Sequence, residues 1–330
     1  MLLHQAFSAY ARDSLIRLLT DEVPGKKGLV LDPQLSGPLS LIAEFSVLRD
    51  RGVEKVYHLE ATGSALPSFS SCEKIIYICR AKASLMKQIA AQIKATEKEM
   101  SERVVVEGSG ERQQERQYFV YVAPRKSIMC ERVLEDEGVF GRVRMGEFPF
   151  DWIPLEGDLL SLELENSFHQ LFVKGNESCL HDLARGLVKI QAILGPAQRI
   201  SGRGCFSKRL SELVQRMSLG KGTHLAKSSH LLEQIIIVDR SIDMITPFCT
   251  PLTYEGLVDH FYGIHNTFVE LDARVSGQPE VKKVPLSNGK DPIFEQIRDC
   301  NFSAIGQSLN TLAKSIQENY QVLLILNDFE

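Results

Sequence analysis

The sequence has little net charge, and its cysteines are not spaced to form disulfide pairs. Lysine and arginine number 38 and aspartate and glutamate 42, which leaves a formal net charge of −4. Because phosphate backbones require a concentrated basic surface, nucleic acid is excluded as the main partner. The seven cysteines are scattered without a C-x-x-C pair. This usage is typical of reduced, packed thiols in a cytosolic protein, and no zinc spacing occurs.

Long apolar runs and catalytic motifs are also missing. No uncharged apolar stretch reaches the roughly 20 residues that cross a bilayer. Arg12 and Asp13 fall where a signal peptide needs its apolar region. The protein is therefore expected to be cytoplasmic and, if it works at a membrane, to work from outside it. There is no H-E-x-x-H and no G-x-S-x-G, so no metal and no cofactor is predicted.

Apolar residues, which make up 44% of the chain, occur in short runs separated by amphipathic stretches. A chain of 330 residues is predicted to form two or three domains. In the N-terminal part the short runs are apolar at nearly every position, as strands buried on both faces are. Their alternation with helical patterns predicts an α/β fold with a parallel, doubly wound sheet. The predicted strands are 28–32, 54–59, 74–79 and 118–123, and the predicted helices are 6–20, 37–52, 81–96 and 126–137.

A change of composition at 146–158, which holds two prolines and the only tryptophan, marks a domain boundary. The region that follows predicts a second α/β domain that is short of strands, and from residue 250 the pattern becomes mainly helical. The second domain has predicted strands at 158–164 and 230–240, the latter buried, helices at 178–194 and 205–218, and a turn at 195–204. The last region has predicted helices at 253–264 and 292–320, a strand at 266–272 and a loop at 273–291.

Gly202 and Gly204 precede a predicted helix, as glycines do in a phosphate-binding turn. The Rossmann fingerprint requires a third glycine where this chain has Ser207, and the Walker motif requires Gly-Lys-Ser/Thr. A tight entry into a helix is the favoured interpretation. A nucleotide-binding α/β enzyme that uses this turn remains the alternative.

Residues 235–247 read IIIVDRSIDMITP and end an apolar strand with Asp239, Arg240 and Asp243. Two carboxylates beside a guanidinium suit either an acid–base cluster or a structural clamp where the chain leaves a sheet. The neighbouring residues are mostly apolar, and arginine is a poor acid or base, so the clamp is favoured. Arg240→Ala is then expected to lower thermal stability, and no catalytic residue is predicted.

An apolar strand, Asp-Arg-x-x-Asp, Pro247 and the helix LTYEGLVDHFYGI (252–264) together resemble the Sec/Munc (SM) family of SNARE regulators. Within that family the resemblance is to the class C vacuolar protein sorting branch, and it runs from about residue 10 to 315. The supporting stretches are LSGPLSLIAEFSVLRDRGVEKVYHL (35–59), VAPRKSIMCERVLEDEGVFG (122–141), IPLEGDLLSLE (153–163) and IRDCNFSAIG (297–306).

The resemblance implies an SM-type arch of three domains. They are a Rossmann-like first domain at 1–148, an incomplete second α/β domain at 149–245, and the start of a mainly helical third domain at 246–330. SM proteins are far longer, so the chain is expected to be a C-terminally truncated product or isoform. The second sheet is then expected to have an unfilled edge, and the apolar segment 322–326 is expected to be exposed.

The implied function is not enzymatic. SM proteins hold SNARE helices, both syntaxin-like helices and assembled bundles, in a groove between the first and third domains. The branch implies work with the other class C subunits of the HOPS and CORVET tethers, peripheral on late endosome, lysosome or vacuole membranes. An inactive truncated isoform is the further alternative. The candidate SNARE contacts are Tyr254, Asp259, Tyr262, Arg298 and Phe302, nominated as exposed positions of the third region. A place in the core is the open alternative for each of them.

Overall fold

The computed structural model describes residues 3–60, 63–66, 72–107, 116–220, 231–276, 281–286 and 291–327. The chain divides into two compact units, Met1–Cys179 and Leu180–Glu330. The division into three domains at 148 and 245 stays a prediction.

The first unit contains a five-stranded parallel sheet in the order β2-β1-β3-β4-β5. The four predicted strands are confirmed as β1 to β4, and the sheet has the parallel, doubly wound order that the sequence predicts. The edge strand β5, with sequence VRMGE, lacks the apolar run that marks the others. The strands are β1 Lys27–Leu31, β2 Val53–His58, β3 Lys74–Arg80, β4 Gln117–Ala123 and β5 Val143–Glu147.

Helices cover both faces of this sheet, which is why its strands are apolar on both sides. Along β4, Phe119 and Tyr121 enter the core that contains residues of α1 and α2, while Tyr118 and Val120 enter the core that contains residues of α4 and α5. The helix predicted at 81–96 continues as far as Glu107, and residues 108–115 lie outside the described residues. The helices are α1 Leu3–Arg17, α2 Pro33–Ile42, α3 Phe45–Asp50, α4 Ala83–Glu107 and α5 Ile128–Asp136.

A hairpin of β6 (Ile153–Glu156) and β7 (Leu159–Ser161) completes the strands of the first unit. Its residue Ile153 is buried in the core beside α1 and α2. Of the strand predicted at 158–164, only Leu159–Ser161 is a strand, in the hairpin with β6.

The second unit begins within the first turn of α6 (Ser178–Leu194), which is followed by α7 (Cys205–Gly220); both helices are close to the predicted bounds. Between and after them lie β8 (Arg199–Arg203) and β9 (Gln234–Val238), which pair in parallel. The turn predicted at 195–204 is thus wrong for its second half, which is a strand. Ala184, Leu210 and Val214 form the buried centre that packs these helices onto the strand pair.

The strand predicted to be buried at 230–240 has one uncovered face. Ile235 and Ile237 are half-buried, and Ile237 packs against the buried centre formed with the two helices, whereas Ile236 and Val238 are 68% and 65% exposed. A parallel sheet normally carries cover on both faces, and here α6 and α7 supply one. In the part of the chain that the structure describes, no further strand pairs with β8 or β9, as expected for an unfilled edge.

The remainder of the second unit is a mixed region. The predicted single helix at 292–320 is two helices, because the backbone between them bonds to the start of α8: Tyr254 N donates to Cys300 O and Glu255 N to Arg298 O, both at 3.1 Å. The side chains of the tail at 322–326 lie outside the described residues. The elements are α8 Tyr254–Tyr262, β10 Phe268–Leu271, α9 Ala273–Ser276, β11 Lys282–Pro285, α10 Pro292–Ile297 and α11 Phe302–Asn327, with β10 and β11 antiparallel.

None of the helices within the described ranges is both long enough and apolar enough to span a bilayer.

Candidate functional site

Asp239 caps a helix. It follows β9, is buried, and its Oδ2 accepts a hydrogen bond of 2.9 Å from the backbone N–H of Phe206 in the first turn of α7. Gly204, the residue just before α7, has φ +108°, and a Cβ at this position would overlap the Asp239 carboxylate. The carboxylate therefore stabilises an otherwise unpaired amide at the positive end of the helix dipole, and only glycine fits beside it.

The same contact decides the nucleotide hypothesis for Gly202 and Gly204. Gly202 lies in β8 and Gly204 leads into α7, so the order is strand, glycine turn and helix, as in many phosphate sites. Here, however, the protein's own carboxylate of Asp239 takes the amide at the start of the helix. The glycines serve this internal contact, and the Phe206 amide that a phosphate would use is already bonded within the protein.

Asp243 is likewise bound to backbone amides. Its Oδ1 accepts hydrogen bonds of 3.0 Å from Ile245 N and Thr246 N, and its Oδ2 accepts one from the Thr246 hydroxyl. The Thr246 hydroxyl bond is the main reason that the pKa of Asp243 is lowered, followed by the Thr246 amide. Arg240 is exposed and forms no ion pair with either acid in the described residues. In the predicted clamp, Asp239 and Asp243 therefore make the observed contacts, with backbone amides and one hydroxyl. The expected loss of stability in Arg240→Ala stays a prediction.

An apolar groove of about 660 Å³ lies within the second unit, between α8, the β10–β11 hairpin and the start of α11. All of its lining side chains are apolar or aromatic. They are Tyr254, Leu257, Val258, Phe261 and Tyr262 from α8, Val269, Leu271, Val284 and Leu286 from the hairpin region, and Phe302 from α11.

Three of the predicted SNARE contacts, Tyr254, Tyr262 and Phe302, line this groove. Phe302 is 58% exposed, and Phe261, which was not among the predicted contacts, is 70% exposed. The helical spacing 254, 257, 258, 261 was the signal that could have identified it, since it places these side chains on one face of α8. Large apolar side chains left open in a concave surface mark a site for an apolar partner.

The other two predicted contacts have structural roles. Asp259 is exposed, but its Oδ1 accepts a 2.8 Å hydrogen bond from Ile264 N just beyond the end of α8. Arg298 does not meet the expectation of exposure: it is buried, and its Nε lies 3.0 Å from Oε2 of Glu255. This pairing fixes the turn between α10 and α11 against the first turn of α8.

Asp32, Gln34 and Arg80 fill the ligand-binding edge of the first sheet. In the strand order 2-1-3-4-5 this edge lies at the carboxyl ends of β1 and β3. Asp32 accepts from Gln34 N at 3.1 Å and from Arg80 N at 3.3 Å. The Gln34 amide donates to the Glu165 carboxylate at 3.0 and 3.1 Å, and the Arg80 guanidinium donates to Glu163 O at 2.7 Å. The segment that carries Glu163 and Glu165 therefore bonds to the residues that border the usual ligand crevice.

These observations define an α/β protein with an open apolar groove. The Phe206 amide at the start of α7, and Asp32, Gln34 and Arg80 at the carboxyl edge of the first sheet, are bonded to other groups of the protein itself. Among the described residues no group of three or more His, Cys, Asp or Glu side chains could hold a metal ion.

The chain belongs to the Sec1 family, which it matches over residues 27–324. This is a family of non-enzymatic regulators of SNARE-mediated fusion, in agreement with the prediction that the chain is not an enzyme. The chain is 36% identical over 310 residues to a vacuolar protein-sorting-associated protein 33 homologue of Arabidopsis thaliana, covering 93% of this chain and 49% of the relative. It is 31% identical over 319 residues to vacuolar protein sorting-associated protein 33A of Rattus norvegicus, covering 93% and 51%. The chain thus spans about half the length of these curated relatives.

Solved structures of SM proteins share the fold. The SM protein Vps45 in complex with the Qa SNARE Tlg2 matches with a TM-score of 0.66 at 18% identity, covering 97% of this chain and 55% of that one. The Unc18–syntaxin 1 complex of Monosiga brevicollis matches with a TM-score of 0.62 at 18% identity, covering 98% and 55%. At these identities the likeness establishes the fold, and the expected SM-type α/β class is confirmed.

Proposed function

We propose that the protein is a SNARE-binding regulator of vesicle tethering and fusion in endosome-to-lysosome or vacuole transport, as a HOPS/CORVET-type subunit. The observation that carries the proposal is the apolar groove between α8, β10–β11 and α11. It is supported further by membership of the Sec1 family and by the SNARE partners with which its structural neighbours were solved. The vacuolar protein sorting names of the relatives support the compartment.

The proposed ligand of the groove is one face of a SNARE helix. SNARE helices, syntaxin-like or bundled, carry apolar residues at helical spacing, and such a face buries its side chains in an apolar groove. The exposed Phe261 and Phe302 stand at the groove and would be covered by the helix. Buried aromatic residues of this kind carry most of the binding energy in protein interfaces.

The proposed partners include the other class C tether subunits as well as SNAREs. The proposed location is peripheral, on late endosome, lysosome or vacuole membranes, without insertion of the chain. The support is the relatives' role in vacuolar protein sorting, as their names state it.

The test measures binding of SNARE-domain peptides to the purified chain by fluorescence anisotropy. Phe261→Asp and Phe302→Asp each place a charge in the groove, and each is expected to weaken binding by about 30-fold, which corresponds to about 2 kcal/mol. Phe248→Asp is the matched control, because Phe248 is 92% exposed and lies outside the groove. Equal affinity of all three variants and the parent chain would refute the groove as the SNARE site.

A further inference from the structure

The strand β8 places two arginines on the uncovered face of the β8–β9 pair. The Gln234 amide, on the same face of β9 as the exposed Ile236, donates a 2.8 Å hydrogen bond to Ser201 Oγ of β8. Ser201 therefore lies on the uncovered face. Since successive side chains of a strand point to opposite faces, Arg199 and Arg203 share that face with Ser201. The open β8–β9 face, as we call it, consists of Arg199, Ser201 and Arg203 from β8 and Gln234, Ile236 and Val238 from β9.

The residues between these point the other way, toward α6 and α7. Ile200 and Ile237 pack against the buried centre of the second unit. A Cβ at Gly202 would come within 3.0 Å of the Ser207 side chain on α7. Asp239, the residue after β9, turns its carboxylate to the same side, where it bonds to the first turn of α7. The alternation therefore holds along both strands, and the six side chains of the open face include no carboxylate.

The open β8–β9 face is positive along β8 and apolar along β9. Arg199 and Arg203 are exposed, and neither forms an ion pair with a described residue. On β9, Val238 is in register with Arg203, and Ile236 precedes it on the same face. Neighbouring strands lie about 4.8 Å apart, so the basic row and the apolar row run side by side. A complementary partner therefore offers an apolar strip with negative charge along one side of it.

We propose that the open β8–β9 face docks an amphipathic helix of a second protein, whose apolar face is flanked on one side by acidic residues. In α/β folds, helices cover both faces of parallel strands, and here α6 and α7 cover one. A helix on the other face would bury Ile236 and Val238. Its acidic flank would pair with the arginines of β8, which fixes the orientation and the choice of partner.

The spacing of the face matches that of a helix laid along the strands. With a rise of about 3.3 Å per residue, Ile236 and Val238 lie about 7 Å apart. By the same measure Arg199 and Arg203 lie about 13 Å apart. A helix rises about 1.5 Å per residue, so residues at i and i+4 are about 6 Å apart and residues at i and i+7 about 10.5 Å. The long arginine side chains span the remaining difference.

A second copy of this chain is a poorer match for the face. A symmetric contact would put the same patch on both sides, and each copy would bring arginines without a carboxylate to pair them. An anionic membrane is also a poorer match, because peripheral proteins meet lipid through amphipathic helices that lie in the interface. The open face instead presents short branched side chains on a strand pair.

The probe is a designed amphipathic peptide of about 18 residues, five helical turns. It carries leucine at helical spacing and glutamate at i and i+7 beside the leucines, and its partner peptide has lysine in place of each glutamate. Binding to the full chain is measured by fluorescence anisotropy. The glutamate peptide is expected to bind saturably and to lose affinity with rising salt. The lysine peptide is expected to bind at least tenfold more weakly.

Ile236→Thr tests the apolar row, because threonine keeps a β-branched side chain that suits a strand. The substitution is expected to weaken binding of the glutamate peptide about tenfold, which corresponds to about 1.4 kcal/mol. Ile128→Thr, at a comparably exposed isoleucine of α5, is the matched control and is expected to bind like the parent.

The double variant Arg199→Glu/Arg203→Glu tests the basic row. It is expected to reverse the preference, so that the lysine peptide binds more tightly than the glutamate peptide. Arg132→Glu, at an exposed arginine of α5, is the control for charge alone and is expected to keep the parent's preference.

Phe261→Asp separates this face from the apolar groove, which Phe261 lines. It is expected to leave binding of the glutamate peptide unchanged, and Ile236→Thr is expected to leave binding of SNARE-domain peptides unchanged. The proposal is overturned if the two designed peptides bind equally, if Ile128→Thr weakens binding as much as Ile236→Thr, or if Phe261→Asp abolishes it. It is also overturned if Ile236→Thr abolishes a dimer seen by light scattering or adsorption to anionic vesicles, since either would give the face a different occupant.

Discussion

Asp239→Ala tests the contact that links β9 to α7. The substitution removes the acceptor of the Phe206 amide and the negative charge beside the helix N-terminus. Loss of an N-cap side chain costs about 0.5–2 kcal/mol. We expect about 2 kcal/mol here, since the carboxylate is buried and its hydrogen bond is charge-assisted. For a unit of this size the melting temperature would fall by about 4–8 °C.

The measurement is urea and thermal unfolding followed by circular dichroism. Asp272→Ala is the control, since Asp272 is exposed and takes part in no hydrogen bond or ion pair of the described residues. A double-mutant cycle with Gly204→Ala gives a second readout. Its Cβ would overlap the carboxyl group of Asp239 in the parent chain, whereas in Asp239→Ala only the overlap with the Cβ of residue 239, at 2.6 Å, remains. Part of the cost of Gly204→Ala should therefore be relieved, so the two costs should fall short of additive. Additive costs, or equal stability of the Asp239 and Asp272 variants, would refute the reasoning.

Two further predictions concern pH. Asp243 has a lowered pKa, so its hydrogen bonds add stability at neutral pH that is lost as the pH falls below about 4. The urea midpoint should therefore fall less steeply with pH in Asp243→Asn than in the parent chain. An equal slope in the two chains would contradict this prediction. Burial, assisted by Lys74, lowers the pKa of Lys27 to about 8. Because the unfolded chain then binds more protons, stability should rise from about pH 8 to 9.5 in the parent but not in Lys27→Met.

The strands of the first sheet could be predicted from the sequence because each can be recognised from its own residues alone. The runs that became β1, β3 and β4 are buried on both faces, so nearly every position is apolar whatever the rest of the chain does. The strand β9 has the same apolar run but alternates between half-buried and exposed. Sequence pattern reports a preference for burial, and only the tertiary structure says whether cover is present.

The site was predictable in part for a similar reason. Tyr254 and Tyr262 were found from their motif and Phe302 from its region, and all three line the groove. For Arg298 the sequence left exposure and burial open, because its pairing with Glu255 joins residues 43 positions apart, a contact that local sequence does not encode. The role of Asp239 as a cap for α7 escaped prediction for the same reason, since its partner Phe206 lies 33 positions earlier in the chain.

The uncovered face of β9 has a consequence for the amount of this protein in a cell. Chaperones and proteases continuously sort chains by the apolar surface they present. With Ile236 and Val238 exposed beside each other on one strand, a newly made chain offers such a surface even when its helices and sheets have formed. We expect its half-life to be set by how quickly that face is covered, so that replacing both residues with threonine would lengthen it in a pulse-chase experiment.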